Sequence, residues 1–184
     1  MKIILIRHAK VLLDNTQKIS SSQMNTWVEA YNYAPIDITL PSKEVVEHCK
    51  GADMVLASSL SRTSDSLAVI EIEPTEKNSL FNEINLPEAK GTWVKLSSKT
   101  WLVLLRIMML SGFGKKSKVY TEAKQRAKRA SEYFMNLANT NESVALMGHG
   151  GFNYLLDKEL KKIGFRCVEK NNSSKNWGYK VYEK

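Results

Sequence analysis

Three polar clusters in this chain each follow directly on a short apolar run. Arg7-His8 follows Ile3-Ile4-Leu5-Ile6, Ser58-Ser59 leading to Arg62 follows Met54-Val55-Leu56-Ala57, and Gly148-His149 follows Val144-Ala145-Leu146-Met147. An imidazole held beside guanidinium groups is a potential nucleophile in a place suited to anions. Two of the chain's three histidines fall in these clusters. The third, His48, sits next to Cys49 with no other metal-ligating residue close in sequence, and reads as a surface or boundary histidine.

The runs before the clusters are too short for helices, rich in β-branched and aliphatic residues, and sharply bounded. They read as buried strands of a parallel sheet. Parallel strands end on one edge of their sheet, and open α/β sheets bind ligands at that edge. Arg7, His8, Arg62 and His149 are therefore expected in one place. A single histidine or arginine would say little; the coincidence of three strand ends says more.

Between the strands the sequence supplies helices. Met24, Trp27, Val28 and Tyr31 share a helical face, which predicts a helix over about 22–33 that ends before Pro35. Ser42 is placed to cap a helix carrying Val45, Val46 and Cys49, with Gly51 as its stop. Leu60, Leu67 and Ile70 suggest another through about residue 70. Val119, Ala123, Ala127, Ala130, Phe134 and Leu137 recur at three- and four-residue steps along a long amphipathic helix, whose other face carries Lys124, Arg126, Lys128 and Arg129. A further helix is expected over about 152–163, ended by Gly164. Phe165–Val168 and Gly178–Tyr182 read as late strands, and Leu80-Phe81 as a short strand leading to Glu83. Residues 10–35 otherwise lack a clean period, and 71–98 read as loop. Trp101–Leu110 is apolar all round except for Arg106, which suits a buried helix or a lid, broken at Ser111-Gly112-Phe113-Gly114. The alternation of strand and helix predicts a three-layer α/β/α fold with a mostly parallel central sheet. With 184 residues, one domain over 1–184 is expected, with a lid or insert around 85–116.

Composition narrows the class of function. Apolar residues make up 43% and charged residues 25%, as in ordinary globular proteins. Two cysteines without CxxC spacing argue against a disulfide framework or a cysteine-rich zinc site. The leading apolar run stops at Arg7, unlike a signal peptide, and no run reaches the length of a membrane span. The expectation is a cytoplasmic protein with no membrane partner. A net charge of +8 favours anionic partners: phosphorylated small molecules, nucleic acid or acidic lipid. The basic run from Lys115 to Arg129 has no nucleic-acid motif beside it and reads as a solvated face.

Leu5-Ile6-Arg7-His8-Ala9 resembles the signature of the histidine phosphatase superfamily, which includes the cofactor-dependent phosphoglycerate mutases. Ala57-Ser58-Ser59-Leu60-Ser61-Arg62-Thr63 is similar to that family's second arginine segment, and Leu146-Met147-Gly148-His149-Gly150-Gly151 to its second histidine segment. Leu80-Phe81-Asn82-Glu83-Ile84 resembles the segment that carries the acid in its phosphatase branch. Asp37-Ile38-Thr39-Leu40 and Asn172-Ser173-Ser174 resemble lesser landmarks. The similarity runs through most of the chain in the family's order. It implies the phosphoglycerate mutase-like fold and a metal-independent, cofactor-free phosphatase acting on a phosphorylated small molecule. In that chemistry His8 attacks phosphorus, Arg7, Arg62 and His149 hold the phosphoryl oxygens, and Glu83 protonates the leaving group. Glu88 is the nearest competing carboxylate.

The chain also departs from the family pattern. Ala9 replaces the usual glycine. Val11 and Asp14 occupy a stretch where the family often has a phosphate-binding asparagine, and Asn15 takes that role if the loop shifts by one residue. Arg-His-Ala occurs in phosphohistidine phosphatases as well. Mutase-type phosphoryl transfer is the other enzymatic reading. A basic anion- or nucleic-acid-binding module with a degenerate site is the non-enzymatic one.

Overall fold

The computed structural model describes residues 1–86, 93–110 and 118–184. The three apolar runs are strands β1 (Lys2–Arg7), β3 (Met54–Ala57) and β6 (Ser143–Gly148). Around them lie the short strands β2 (Lys18–Ser20), β4 (Glu76–Lys77) and β5 (Lys95–Ser97), and the late strands β7 (Arg166–Asn171) and β8 (Tyr179–Glu183). The main sheet runs β4-β3-β6-β1-β8-β7. β4, β3, β6 and β1 are parallel, while β8 is antiparallel to β1 and β7 antiparallel to β8. The described α-helices are α1 (Met24–Tyr33), α2 (Lys43–Lys50), α3 (Ser61–Val69), α4 (Ser98–Leu110), α5 (Lys118–Leu137) and α6 (Gly150–Lys162).

Side-chain alternation along the strands divides the core between two faces of the sheet. Ile3, Leu5, Val144 and Leu146 pack with Phe134 of α5 and Phe152 and Leu156 of α6. Ile4, Ile6, Ala145 and Met147 pack on the other face with Val45 and Cys49 of α2 and Leu67 of α3. The result is the three-layer α/β/α arrangement expected from the sequence. Both faces of the central strands are covered, which is why they read as unbroken apolar runs.

The parallel registers fix the edge that carries the polar clusters. Arg7 pairs with Gly148, and Ala57 with Met147. The ladder continues one step further, with the His8 amide donating to the Gly148 carbonyl at 3.1 Å. His8 and His149 thus leave adjacent strands at the same level, and Ser58 leaves the third within one residue of it.

Some expectations change. Leu80-Phe81 is not a strand. The short strand lies earlier, at β4, and Ser79–Phe81 form a 3₁₀ turn. The Asn78 side chain accepts the Leu80 amide and starts that turn, while Phe81 is buried under α5. The stretch without a clean period contains β2, which pairs antiparallel with β5 beside α4. Three-residue strands are too short to leave a pattern. Of α4, Trp101 and Leu105 are buried, whereas Val103 and Ile107 are exposed, so the helix is covered on one side only. The break expected at 111–114 and the competing carboxylate Glu88 lie outside the described residues, as do other parts of the span 85–116. No described helix is long and apolar enough to cross a membrane.

Phe134, fully buried between α5 and the sheet, ties these layers together. Phe134→Ala is expected to cost about 3–5 kcal/mol. Val168→Ala, on the exposed edge strand β7, should stay within about 0.5 kcal/mol. Urea unfolding midpoints of the two variants check the contrast.

Candidate active site

At the end of β1 the chain turns sharply under tight hydrogen-bond control. The Asn176 side-chain amide donates to the carbonyls of His8 and Ala9 at 2.8 and 3.0 Å. The Ala9 amide donates to the Ser66 hydroxyl at 2.8 Å, which in turn donates to the Arg62 carbonyl at 2.6 Å. The His8 loop is thereby joined to the helix that carries Arg62. The His8 side chain is only 2% exposed. Its Nδ1 lies 2.6 Å from the Ala9 carbonyl. A carbonyl only accepts, so Nδ1 carries the proton and Nε2 of the neutral ring keeps its lone pair. Burial, then His149 and Arg62, hold the His8 pKa well below the usual histidine value.

His149 precedes α6 as its N-cap residue and is fully buried. Its ring meets that of His8 edge-on, with centroids 5.2 Å apart. Nε2 lies 2.7 Å from the Ser58 hydroxyl, and Nδ1 has no partner. With Ser58 as donor to Nε2, the single proton of the neutral ring sits on Nδ1 and makes it a spare buried donor. Burial and then Arg62 and Arg7 push the His149 pKa well below its ordinary value too. Ser58 stood in one of the polar clusters, but nothing in the sequence marked it as the partner of His149.

Arg62, in the first turn of α3, is 3% exposed. It donates to the Asn32 side chain at 2.9 Å and lies 5.3 Å from the Tyr31 ring centroid. Arg7 donates to the Ser174 carbonyl. The Nε groups of Arg7 and Arg62 are buried without a partner. Burial is the leading cause lowering both arginine pKa values from their ordinary level, yet arginine stays charged. A buried guanidinium group, Arg62, and a half-buried one, Arg7, each with a spare Nε donor, lie beside two neutral histidines and form a site prepared for an anion.

Glu83 closes the other side. Its carboxylate accepts the backbone amides of Ile84, Gly151 and Phe152 at 3.0, 3.2 and 2.9 Å, the last two from the first turn of α6. A carboxylate suits that helix end because unpaired N–H groups and the helix dipole converge there. Gly151 permits the approach: a Cβ there would come within 2.7 Å of Glu83 Oε1. Arg106 on α4 brings Nη2 to 3.6 Å from Glu83 Oε2. Arg126 donates to the carbonyls of Asn82 and Glu83 at 2.7 and 3.0 Å and lies over the Phe152 ring. The sequence grouped Arg126 with a solvated basic face; the fold turns it inward to pin the Glu83 loop. One α5 residue can do this because the helix packs against the Ser79–Phe81 turn that leads into Glu83, a fact of tertiary packing.

Arg7, His8, Arg62 and Glu83 line one cleft of about 530 Å³, with Arg106 and Arg126 on its walls. His149 sits behind His8 rather than on the open wall. Asn15 is not brought to this cleft: it is exposed, and its carbonyl accepts the Lys99 amide. Asp14 is likewise exposed, with its carboxylate occupied by Thr16. His48 packs edge-on against Tyr179, away from the site. No group of three or more metal-ligating side chains is assembled among the described residues.

No family model matches the chain, and no curated protein matches it in sequence. Solved structures do. A phosphoserine phosphatase from Entamoeba histolytica, solved with 3-phosphoglyceric acid, aligns at TM-score 0.55 and 16% identity, covering 98% of this chain and 89% of its own. A mycobacterial glucosyl-3-phosphoglycerate phosphatase aligns at TM-score 0.51 and 14% identity, covering 98% of this chain and 88% of its own. The chain therefore has the phosphoglycerate mutase-like fold of the histidine phosphatases.

The depressed histidine pKa values have a consequence for stability. Below about pH 6.5 the unfolded chain takes up protons that His8 and His149 refuse in the fold. The folded state thus loses stability as pH falls from about 6.5 toward 5. In phosphate-free buffer, His8→Gln and His149→Gln should each flatten the fall in melting temperature over that window. An unchanged slope in both variants would contradict the buried neutral state.

Proposed function

We propose that this protein is a phosphomonoesterase that works through a phosphohistidine on His8, without a metal ion or an organic cofactor. The observation that carries the reading is the neutral His8 ring, its Nε2 left bare by the Nδ1 contact with Ala9, between two arginines with unpartnered Nε groups. Nε2 donates its electron pair to phosphorus and the ester P–O bond breaks. The pair left on the departing oxygen takes a proton from Glu83. Water then attacks the phosphohistidine, Glu83 accepts its proton, and inorganic phosphate leaves with His8 restored. Arg7, Arg62 and the Nδ1 proton of His149 answer the charge on the phosphoryl oxygens. Fixed cations supply the charge stabilisation that magnesium gives in kinases.

The fold, shared with a phosphoserine phosphatase and a glucosyl-3-phosphoglycerate phosphatase, fits phosphomonoester hydrolysis and leaves mutase-type transfer as the alternative. In this reading residues 1–184 act as one domain, and the span around 85–116 acts as its lid. The placement of Arg106 on the cleft wall supports that role. Cys49 and Cys167 as free thiols suit a reducing, cytoplasmic setting.

Two substitutions test the chemistry. His8→Ala should reduce turnover of p-nitrophenyl phosphate, assayed with chelator present, to background while the circular dichroism spectrum is kept; retained activity would end the proposal. Glu83→Gln should lower hydrolysis of alkyl phosphates by about 10²–10⁴-fold. Loss on p-nitrophenyl phosphate should be far smaller, because nitrophenolate leaves without a proton. Equal losses on both would assign Glu83 to the α6 end alone.

A further inference from the structure

Tyr31 brings an unengaged hydroxyl to the arginine side of the cleft. It sits in the last turn of α1, half-buried, and lines the cleft together with Arg7, His8 and Arg62. Two contacts hold its ring. Trp27 stacks on it, with centroids 5.2 Å and planes 27° apart, and is itself fixed by donating to the Asp14 carbonyl at 3.1 Å. The Arg62 guanidinium lies 5.3 Å from the ring centroid, a cation–π contact. Among the described residues, nothing hydrogen-bonds the Tyr31 hydroxyl.

The backbone explains why a helix supplies this group. Val11 bridges antiparallel to Ile36, the Leu12 amide donates to the Pro35 carbonyl at 2.8 Å, and the Asp37 amide donates to the Lys10 carbonyl at 2.7 Å. The loop after His8 is thus tied to the segment that leaves α1, which draws the end of that helix to the arginines. The same bridge buries Val11, whose side chain has no donor to offer. Asn32, next to Tyr31, has its side-chain oxygen engaged by Arg62. Electrostatics agrees with the placement. Burial lowers the pKa values of Arg7 and Arg62, and the largest opposing influence on each is Tyr31, ahead of Glu83. The phenol oxygen therefore lies close to both guanidinium groups.

We infer that Tyr31 binds the transferred phosphoryl group directly, its hydroxyl donating to a phosphoryl oxygen held between Arg7 and Arg62. The inference rests on the phosphatase reading above. A hydroxyl both accepts and donates, and its proton rotates to suit. In the free protein the oxygen faces two cations. A bound phosphoryl group takes over those cations, and the hydroxyl turns to donate to it. A phenol is more acidic than an alkyl hydroxyl and so the stronger donor, and it adds no charge to a site with two fixed cations. Because Trp27 and Arg62 already hold the ring, the donor needs little reorganisation as charge shifts over the phosphoryl oxygens.

Tyr31→Phe tests this, because it removes the hydroxyl and keeps the ring. It should weaken binding of inorganic phosphate by about tenfold or more, the range of a hydrogen bond to a charged group, read from the phosphate dependence of the melting temperature. Turnover, as kcat/KM, should fall by a similar factor on p-nitrophenyl phosphate and on an alkyl phosphate alike, since the contact is to the phosphoryl group and not to the leaving oxygen. Tyr31→Ala should lose at least as much. Phosphate affinity and turnover kept in Tyr31→Phe would overturn the inference; if Tyr31→Ala then loses both, Tyr31 acts only through its ring on Arg62. A loss confined to alkyl phosphates would overturn it too, because that pattern marks a leaving-group acid. Wild-type turnover of p-nitrophenyl phosphate separates the causes. If it depends on His8 and Tyr31→Phe matches the wild type, the inference alone fails. If it is absent while phosphate binds in a Tyr31-dependent way, the phosphatase reading fails and the phosphate contact stands. A wild-type protein that neither binds phosphate nor turns over substrate would overturn both.

Discussion

The in-register parallel pairing of β3, β6 and β1 is the constraint on which the cleft depends. Because Arg7 stands opposite Gly148 and Ala57 opposite Met147, the chain leaves all three strands within one residue of the same height. His8, His149 and Ser58 meet there without any long-range adjustment. A slip of one residue in β1 would exchange the two faces of Ile3–Ile6 and turn His8 away from His149. The large cores on both sides of the sheet make such a slip costly. Packing that stabilises the fold is thus the same packing that sets the geometry of the site.

Desolvation then gives those residues their chemical character. Burial keeps both imidazoles neutral, and the nearby guanidinium groups add to the effect. The proton on Nδ1 of His8 is fixed by a backbone carbonyl, so the turn at Ala9 leaves the free lone pair on Nε2. No glycine is needed at position 9 for this contact, since a carbonyl serves whatever the side chain. On the opposite wall the N-terminus of α6 holds Glu83, and α6 begins directly after His149. The short stretch from Gly148 to Phe152 therefore joins strand end and helix start and holds the Glu83 carboxylate through its amides.

The central strands were legible because both their faces are buried, so each reads as a continuous apolar run with an abrupt polar end. The placement of Arg7, His8, Arg62 and His149 followed from that pattern and from the preference of α/β sheets for sites at strand ends. Other features left no such trace. Arg126 has the spacing of a surface residue on an amphipathic helix, and only the packing of α5 against the Ser79–Phe81 turn brings it to Glu83. Ser58 is one of three serines within four residues, and register alone singles it out. β2 and β5 are too short to carry a period. Asn15 was read by analogy of loop position, and the loop takes it instead to a backbone contact with Lys99. Pattern reports burial and periodicity; contacts between loops and helix flanks depend on how the layers meet.

The most direct test of the account is the position of phosphate on the trapped enzyme. Rapid mixing with p-nitrophenyl phosphate, quenching in alkali, and phosphorus NMR with peptide mapping would report both the residue and the ring nitrogen. The account predicts an acid-labile phosphate on His8, attached at Nε2. Phosphate at Nδ1, on His149, or on any other side chain would contradict it.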